Sequence, residues 1–282
     1  MENPTVSIII KTYNEEKNIG NCLNIIFNQT YRDFEVIIVD SESGDDTLKI
    51  ASKFPVTIIK IKRKNFSFGK SLNIGCSKAK GKYCISLSAH ATPLDNSWLE
   101  NLIAPLEKEM IAGAYAREIP REDCNPPEMR KILGTFGNKE KIQIEDCFFS
   151  NVSSAFKKDL WKDVKFNEKI RTTEDHFWAN EMIKKGYAIC YQPKAKVYHS
   201  HNHSLRSLYM RLKAQLYDKY KGIENKNALY ICCKGFANFA YSVIADWAFV
   251  LKRKENIYWL FAAIPYNITT LMAYISAAFK KL

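Results

Sequence analysis

Glu35-Val36-Ile37-Ile38-Val39-Asp40 runs directly into Ser41-Glu42-Ser43-Gly44-Asp45-Asp46-Thr47. An apolar, β-branched strand thus ends in an acidic, hydroxyl-rich turn that leads into a helix. Upstream, Val6-Ser7-Ile8-Ile9-Ile10 followed by Lys11-Thr12-Tyr13-Asn14-Glu15-Glu16 repeats the arrangement. Ligands of open parallel sheets bind where strands end and helices begin. Two polar strand ends within forty residues therefore predict a nucleotide pocket near the N-terminus.

The strands continue at 56–61 and 84–88, and helical spacing fills the gaps at 15–29, 45–53 and 69–79. Strands alternating with helices imply a parallel sheet with right-handed crossovers. Runs such as Ile8-Ile9-Ile10 suit strands covered on both faces. Residues 117–146, with Pro120, Pro126, Pro127, Gly134 and Gly137 among many charges, read as a long excursion over the active face, part helical at 128–136. Excursions of this length are lids or binding loops when they are functional. Residues 174–186 read as a helix capped by Thr172 or Thr173, followed by short strands at 187–191 and 195–198. From about residue 204 the pattern is helical throughout.

The 282 residues, 46% of them hydrophobic, support one large α/β domain or one domain with an appendage. The net charge of +12 lies entirely after residue 150. A basic half suggests an anionic partner, although a solvated basic face gives the same count. Tyr258 to Phe279 carries no charge and is flanked by Lys252-Arg253-Lys254 and Lys280-Lys281. Its Pro265, Asn267, Thr269 and Thr270 favour an interfacial helix pair with basic edges over a membrane span, a buried helix or an oligomer contact. Eight cysteines without a CxxC pair argue against a zinc site and fit a reducing cytoplasm, and no signal peptide is visible at the N-terminus.

Five motifs in order resemble inverting family 2 glycosyltransferases. They are Val6 to Glu15, Asn28-Gln29-Thr30-Tyr31 with Glu35 to Ser41, Gly69-Lys70-Ser71-Leu72-Asn73-Ile74-Gly75, Glu174-Asp175 and Val197-Tyr198-His199. The resemblance covers residues 1 to about 215. It implies a GT-A fold, a Rossmann-like, mostly parallel sheet flanked by helices, with a C-terminal helical tail. The expected organisation is a glycosyltransferase domain at 1–215, with a nucleotide-binding half at 1–95 and an acceptor half at 96–215, then a membrane-associated helical tail at 216–282.

On this resemblance Asp175, with Glu174 beside it, is the general base that takes a proton from the acceptor hydroxyl. Spacing alone allows a plain helix cap instead. Thr12, Tyr13, Glu15, Asp40, Ser41 and Ser43 are expected around the base and ribose, with Asp40 accepting a base N–H, although an Asp there also caps turns. Lys70 and Asn73 share a helix face that reaches a diphosphate. The family's metal motif, Asp-x-Asp, is replaced by Ser88-Ala89-His90, which is expected to contact the nucleotide. His90 with His199 and His201 would then hold a divalent cation, Mn²⁺ or Mg²⁺, and an imidazole suits Mn²⁺ better. The rival is neutralisation of the diphosphate by Arg206 and Arg211. His199, His201 and His203 alternate as in a strand that points them to one side. Trp98, Asn151 and Ser153 are the candidates for acceptor contact.

The expected reaction moves a sugar, with inversion, from a nucleoside diphosphate to a hydroxyl of a glycan or lipid-linked acceptor. The resemblance implies bacterial capsule or O-antigen synthesis in the cytoplasm, peripheral to the inner face of the membrane, with a homo-oligomer through the C-terminal helices as an open alternative. No GxGxxG follows either early strand, which argues against a dehydrogenase. A glycine-free first loop argues against a nucleotidyltransferase. The mixture of basic and apolar runs argues against nucleic-acid binding. The remaining rival is a membrane-associated nucleotide- or glycan-binding module that keeps the fold without the chemistry.

Overall fold

The computed structural model describes residues 3–221 and 228–279. Lys280 and Lys281 lie outside the described residues. The elements run β1 (Val6–Thr12), α1 (Ile19–Phe27), β2 (Phe34–Asp40), α2 (Thr47–Ala51), β3 (Thr57–Lys60), α3 (Phe68–Lys78), β4 (Tyr83–Ser88), β5 (Thr92–Pro93), α4 (Trp98–Ile103), β6 (Ile111–Ile119), α5 (Pro126–Thr135), β7 (Lys141–Gln143), β8 (Ser153–Lys157), α6 (Lys158–Asp163), α7 (Glu174–Lys184), β9 (Ala188–Tyr198), α8 (Leu205–Lys221), α9 (Ala228–Arg253) and α10 (Tyr258–Ala278). They form two compact units, one from residues up to 119 with 136–170 and 174–199, the other from 120–135, 171–173 and 200 onward.

In the first unit the strand order is β3-β2-β1-β4-β8-β6-β9-β5, and β7 pairs with β9. β1, β2, β3 and β4 pair in parallel; β8 opposes both β4 and β6; β9 runs parallel with β6. Six of the nine described strands therefore point one way, and β5, β7 and β8 point the other. Ile8, Ile9, Ile10, Val36, Ile37 and Ile38 are buried, as strands covered on both faces require.

Two local patterns misled the reading of the sequence. Residues 117–146 are not one loop: they contain the end of β6, helix α5 and strand β7. β6, Ile-Ala-Gly-Ala-Tyr-Ala-Arg-Glu-Ile, has weak strand propensity and is a strand because β8 and β9 bury it on both sides. Gly113 is needed there, since a Cβ would stand 3.1 Å from the Phe149 ring and 3.2 Å from the Ala155 carbonyl. The expected strands at 187–191 and 195–198 are one element, β9. Its register against β6 slips after Gln192, so the bulge carries Pro193, which has no N–H for the ladder.

The second unit is helical. Leu216, Tyr220, Ile231, Ala273 and Ala277 form a core between α8, α9 and α10. Buried Asp246 on α9 pairs with Arg130 Nε on α5 at 2.5 Å and accepts from Asn267 Nδ2 on α10 at 2.7 Å. Among the described residues two helices, α9 and α10, are long and apolar enough to cross a membrane. Phe236, Tyr241, Ile244, Leu251, Phe261 and Met272 are exposed on them. The Thr172 hydroxyl donates to Asp218 on α8 rather than serving as a helix cap.

Gly81, just before β4, donates its N–H to Ser7 Oγ, and a Cβ there would lie 2.7 Å from backbone atoms of Val6 and Ser7. Backbone cannot rotate away as a side chain can. Gly81→Ala is expected to cost about 1–3 kcal/mol, read as a lower urea midpoint with an unchanged m-value.

Candidate active site

The register of β1 against β2 sets Thr12 beside Asp40. Asp40 is fully buried and already accepts Thr12 Oγ1 at 3.0 Å, Ser43 N at 3.0 Å and Ser43 Oγ at 2.5 Å. It is a brace between two strand ends. Ser41 is buried and ties its N–H to the Thr12 carbonyl at 3.0 Å. Asn14 and Glu42 hold φ of 54° and 62° in these turns, a region unusual for residues other than glycine. Cross-links hold them there: Asn14 N donates to Ser43 Oγ, Gly44 N to Asn14 Oδ1, and Arg63 N to Glu42 Oε2. Tyr13 stays exposed on this rim, with the Arg63 guanidinium 3.9 Å from its ring centre. Arg63 went unread in the sequence, because a basic run beside Lys62 and Lys64 looks like a solvated loop.

At the end of β4, Ser88 forms a turn, its N–H bonded to the Val152 carbonyl and its own carbonyl to Ala91 N. Ala89 is buried, and His90 emerges from the turn. His90 Nδ1 meets Glu15 Oε1 at 2.7 Å, while Asn18 Nδ2 holds Glu15 Oε2 at 2.9 Å. Both oxygens of Glu15 are therefore engaged within the protein. Burial would raise its pKa, but the hydrogen bond and charge of His90, with Asn18, bring the net shift below the ordinary range. Buried His199 pairs its Nδ1 with Glu118 Oε2 at 2.7 Å, and Ser150 Oγ donates to Glu118 Oε1. The two imidazoles stack, ring centres 5.3 Å apart. Glu118 belongs to β6, the strand that the sequence hid. β9 ends at Tyr198, so strand alternation does not order the histidines beyond it. His201 and His203 belong to the second unit, where their rings stack on each other and Arg211 donates to His203 Nε2.

Several expected contacts are structural. Asn73 is buried and fully used: its amide donates to the Phe166 carbonyl and Glu168, and its oxygen accepts from Phe166 N and Trp161 Nε1. Lys70 is half-buried in the first turn of α3, where its N–H is capped by Ser67. Trp98 is fully buried and donates Nε1 to Ser153 Oγ at 3.1 Å, so neither presents a surface to a sugar. Asp95 accepts from Ser97 N and Oγ at the start of α4, the capping role that its position suggests.

The paired acids come together with a residue that the sequence did not single out. Glu174 is buried, and its Oε1 accepts from Asn151 Nδ2 at 3.3 Å. Asp175 is half-buried, accepting from Asn151 N at 3.1 Å and His176 N at 2.9 Å. Asn151 thus aims both carboxylates instead of reaching for an acceptor. Its own carbonyl takes Ser86 Oγ at 2.7 Å and Lys11 Nζ at 3.4 Å. Burial, then the neighbouring Asp175, lifts Glu174 to about 7 against the pull of Lys11 and Asn151. Burial lifts Asp175 to about 6, resisted by the two N–H donors and Lys11. A carboxylate with that pKa, open on one side, is suited to accept a proton near neutrality.

The model of the family described as glycosyl transferase family 2 matches residues 7–165. The chain is 30% identical over 218 residues to the O-antigen chain rhamnosyltransferase RfbN of Salmonella typhimurium, covering 73% of this chain and 69% of that one. It is 29% identical over 220 residues to WbaN of Salmonella anatum, also an O-antigen chain rhamnosyltransferase, covering 74% and 70%. Among solved structures, the mannosyltransferase PcManGT from Pyrobaculum calidifontis, in complex with GDP-Man and Mn²⁺, superposes with a TM-score of 0.66 at 19% identity, covering 100% of this chain and 87% of that one. S. aureus TarS 1–349 with UDP gives 0.58 at 16% identity, covering 98% and 90%.

Because burial raises both acids, their protonated forms add stability that is fully present below the unfolded values and is lost as pH rises through about 6 and 7. Asn151→Ala removes the side-chain donor that offsets this loss. Its destabilisation, about 1–3 kcal/mol for an unsatisfied buried group, is expected to be larger at pH 8 than at pH 5 in thermal melts.

Proposed function

The chain belongs to glycosyl transferase family 2, with its GT-A fold, and from that membership and the Glu174–Asp175 pair we propose that it transfers a sugar, with inversion, from a nucleoside diphosphate to an acceptor hydroxyl. The observation that carries this is Asp175, a half-buried carboxylate aimed by two backbone N–H groups and raised towards neutrality. Inverting transfer needs one base facing the incoming hydroxyl. Asp175 takes that proton as the oxygen forms its bond to the anomeric carbon and the diphosphate departs. Glu174, buried beside it, stands at the start of α7 and raises the proton affinity of the pair. The nucleotide lies over the ends of β1, β2 and β4: Tyr13 with Arg63 offers a flat cationic platform, the Thr12–Asp40–Ser41–Ser43 brace shapes the floor, and Lys70 supplies positive charge near the diphosphate.

A divalent cation is part of this reading. His90 and His199 suit one because each has a carboxylate on Nδ1, the kind of partner that orients a metal-binding imidazole and raises its basicity. His201 follows two residues after His199 in the chain. Imidazole donors favour Mn²⁺ over Mg²⁺, and such an ion neutralises charge on the leaving diphosphate. The acceptor is a glycan or lipid-linked glycan of a surface polysaccharide, a reading supported by the O-antigen relatives. The exposed apolar residues of α9 and α10, next to Lys252, Arg253 and Lys254, support a place on the inner surface of the cytoplasmic membrane.

A thermal-shift panel of nucleoside diphosphates with and without Mn²⁺ identifies the base, since stabilisation follows affinity. His90→Ala and His199→Ala are expected to abolish the Mn²⁺-dependent part of the shift. With the donor identified, Asp175→Asn is expected to lower kcat by about 10²–10⁴-fold while nucleotide binding persists. The wild-type kcat/KM should fall on acidification through about pH 6. Full activity in Asp175→Asn would falsify the base assignment.

A further inference from the structure

Lys11 closes β1 on the residue just before the nucleotide rim, and a lysine after an apolar strand reads as a solvated strand end. Its ammonium is instead drawn inward. Nζ donates to Ser86 Oγ on β4 at 3.0 Å and approaches the Asn151 carbonyl at 3.4 Å, with the Phe68 ring centre 5.8 Å away. Asn151 is the same residue whose N–H and side-chain amide hold Asp175 and Glu174. Ser86 Oγ also donates to that carbonyl, and Ser154 Oγ donates to Asn151 Oδ1, so the hub is fixed from four sides. One half-buried cation, one buried carboxylate and one half-buried carboxylate thus share one rigid amide.

We propose that Lys11 is a positioning residue of the transfer reaction: its tethered ammonium favours the charged form of the Glu174–Asp175 pair and, through Asn151, keeps the pair aimed, so that Asp175 can act as the base near neutral pH. This rests on Asp175 being the base. The electrostatics run in the required direction. Burial pulls Lys11 below the ordinary lysine range, while Glu174 and Asp175 hold it up. Lys11 in turn opposes the upward push of burial on both acids. Other titratable groups among the described residues also face the cluster. Cys76 on α3 is pushed well up by burial and by its neighbour Cys84 and stays a neutral thiol, and burial also raises Cys147. His176 also neighbours Asp175, joined to it through its backbone N–H. Without the ammonium, two adjacent buried carboxylates share a proton.

The test is a ¹³C-carboxyl NMR titration of the full chain labelled at Asp and Glu, with the Asp175 resonance identified by its absence in Asp175→Asn. Lys11→Gln keeps a donor for Ser86 and Asn151 and removes only the charge; Lys11→Met removes both. In each variant the Asp175 midpoint is expected to rise by about one pH unit or more, the direction that loss of a nearby opposite charge dictates. The acid limb of kcat/KM should move up with it, so activity lost at pH 7 returns at higher pH. A structural role would instead lower activity equally at every pH, and recovery in Lys11→Gln alone would mean that only the hydrogen bond matters; either result overturns the proposal. The reciprocal measurement needs no Lys11 variant. Coupling is mutual, so the Lys11 ammonium, followed by ¹⁵N NMR, should titrate at lower pH in Asp175→Asn than in the wild type. An unmoved Lys11 titration there, or an unmoved Asp175 midpoint in Lys11→Gln, also overturns it. The failures are distinguishable: retained transfer in Asp175→Asn removes the base assignment, whereas the NMR midpoints report the coupling itself.

Discussion

The site depends on the parallel register of β1 between β2 and β4. β1 is buried on both faces and paired along its length, so neither its position nor its phase can slip without exposing a run of isoleucines. That register stops three strands at one level. Thr12 arrives beside Asp40, and Lys11 beside Ser88 on one side and Val39 on the other. Polar chemistry at this edge is thereby placed by apolar burial elsewhere in the sheet. The same logic makes Asp40 a brace: a carboxylate sealed between two strand ends has to be satisfied from within, and Thr12 and Ser43 do so.

Buried charge is handled in two ways within one unit, and the two suit different chemistry. Glu15 and Glu118 each meet an imidazole, and the carboxylate orients the ring. Glu174 and Asp175 receive mostly amide and backbone donors and one shared cation, so burial prevails and their proton affinity rises. The first arrangement fixes an imidazole in place, and the second raises the proton affinity of the acids. Environment, rather than residue type, separates four acids into two roles.

The helical unit solves a different problem. Its helices α9 and α10 are apolar enough to slide against each other, yet Asp246, fully buried, accepts from Arg130 and Asn267, and Tyr266 donates to Glu128. Directional polar bonds inside apolar packing fix one register among many of similar hydrophobic energy. Outward from this key the same helices present large apolar side chains.

The amino-acid sequence by itself determined the alternating strands and helices of the first hundred residues, the strand ends that carry Thr12, Asp40 and His90, and the acidic start of α7. These follow from local periodicity and local end signals, which a linear reading contains. The tertiary structure decided what the sequence could not express. β6 is a strand only because β8 and β9 bury its alanines, and with it comes Glu118, the partner of His199. Trp98, Ser153 and Asn73 carry side chains suited to ligands but are consumed by the core, because a buried donor must find a partner wherever it lies. Lys11 shares Asn151 with Glu174 and Asp175, which lie more than 160 positions further along the chain. Such pairings are set by which strand ends share a level in the sheet, and that is a property of the folded sheet rather than of any local stretch of sequence.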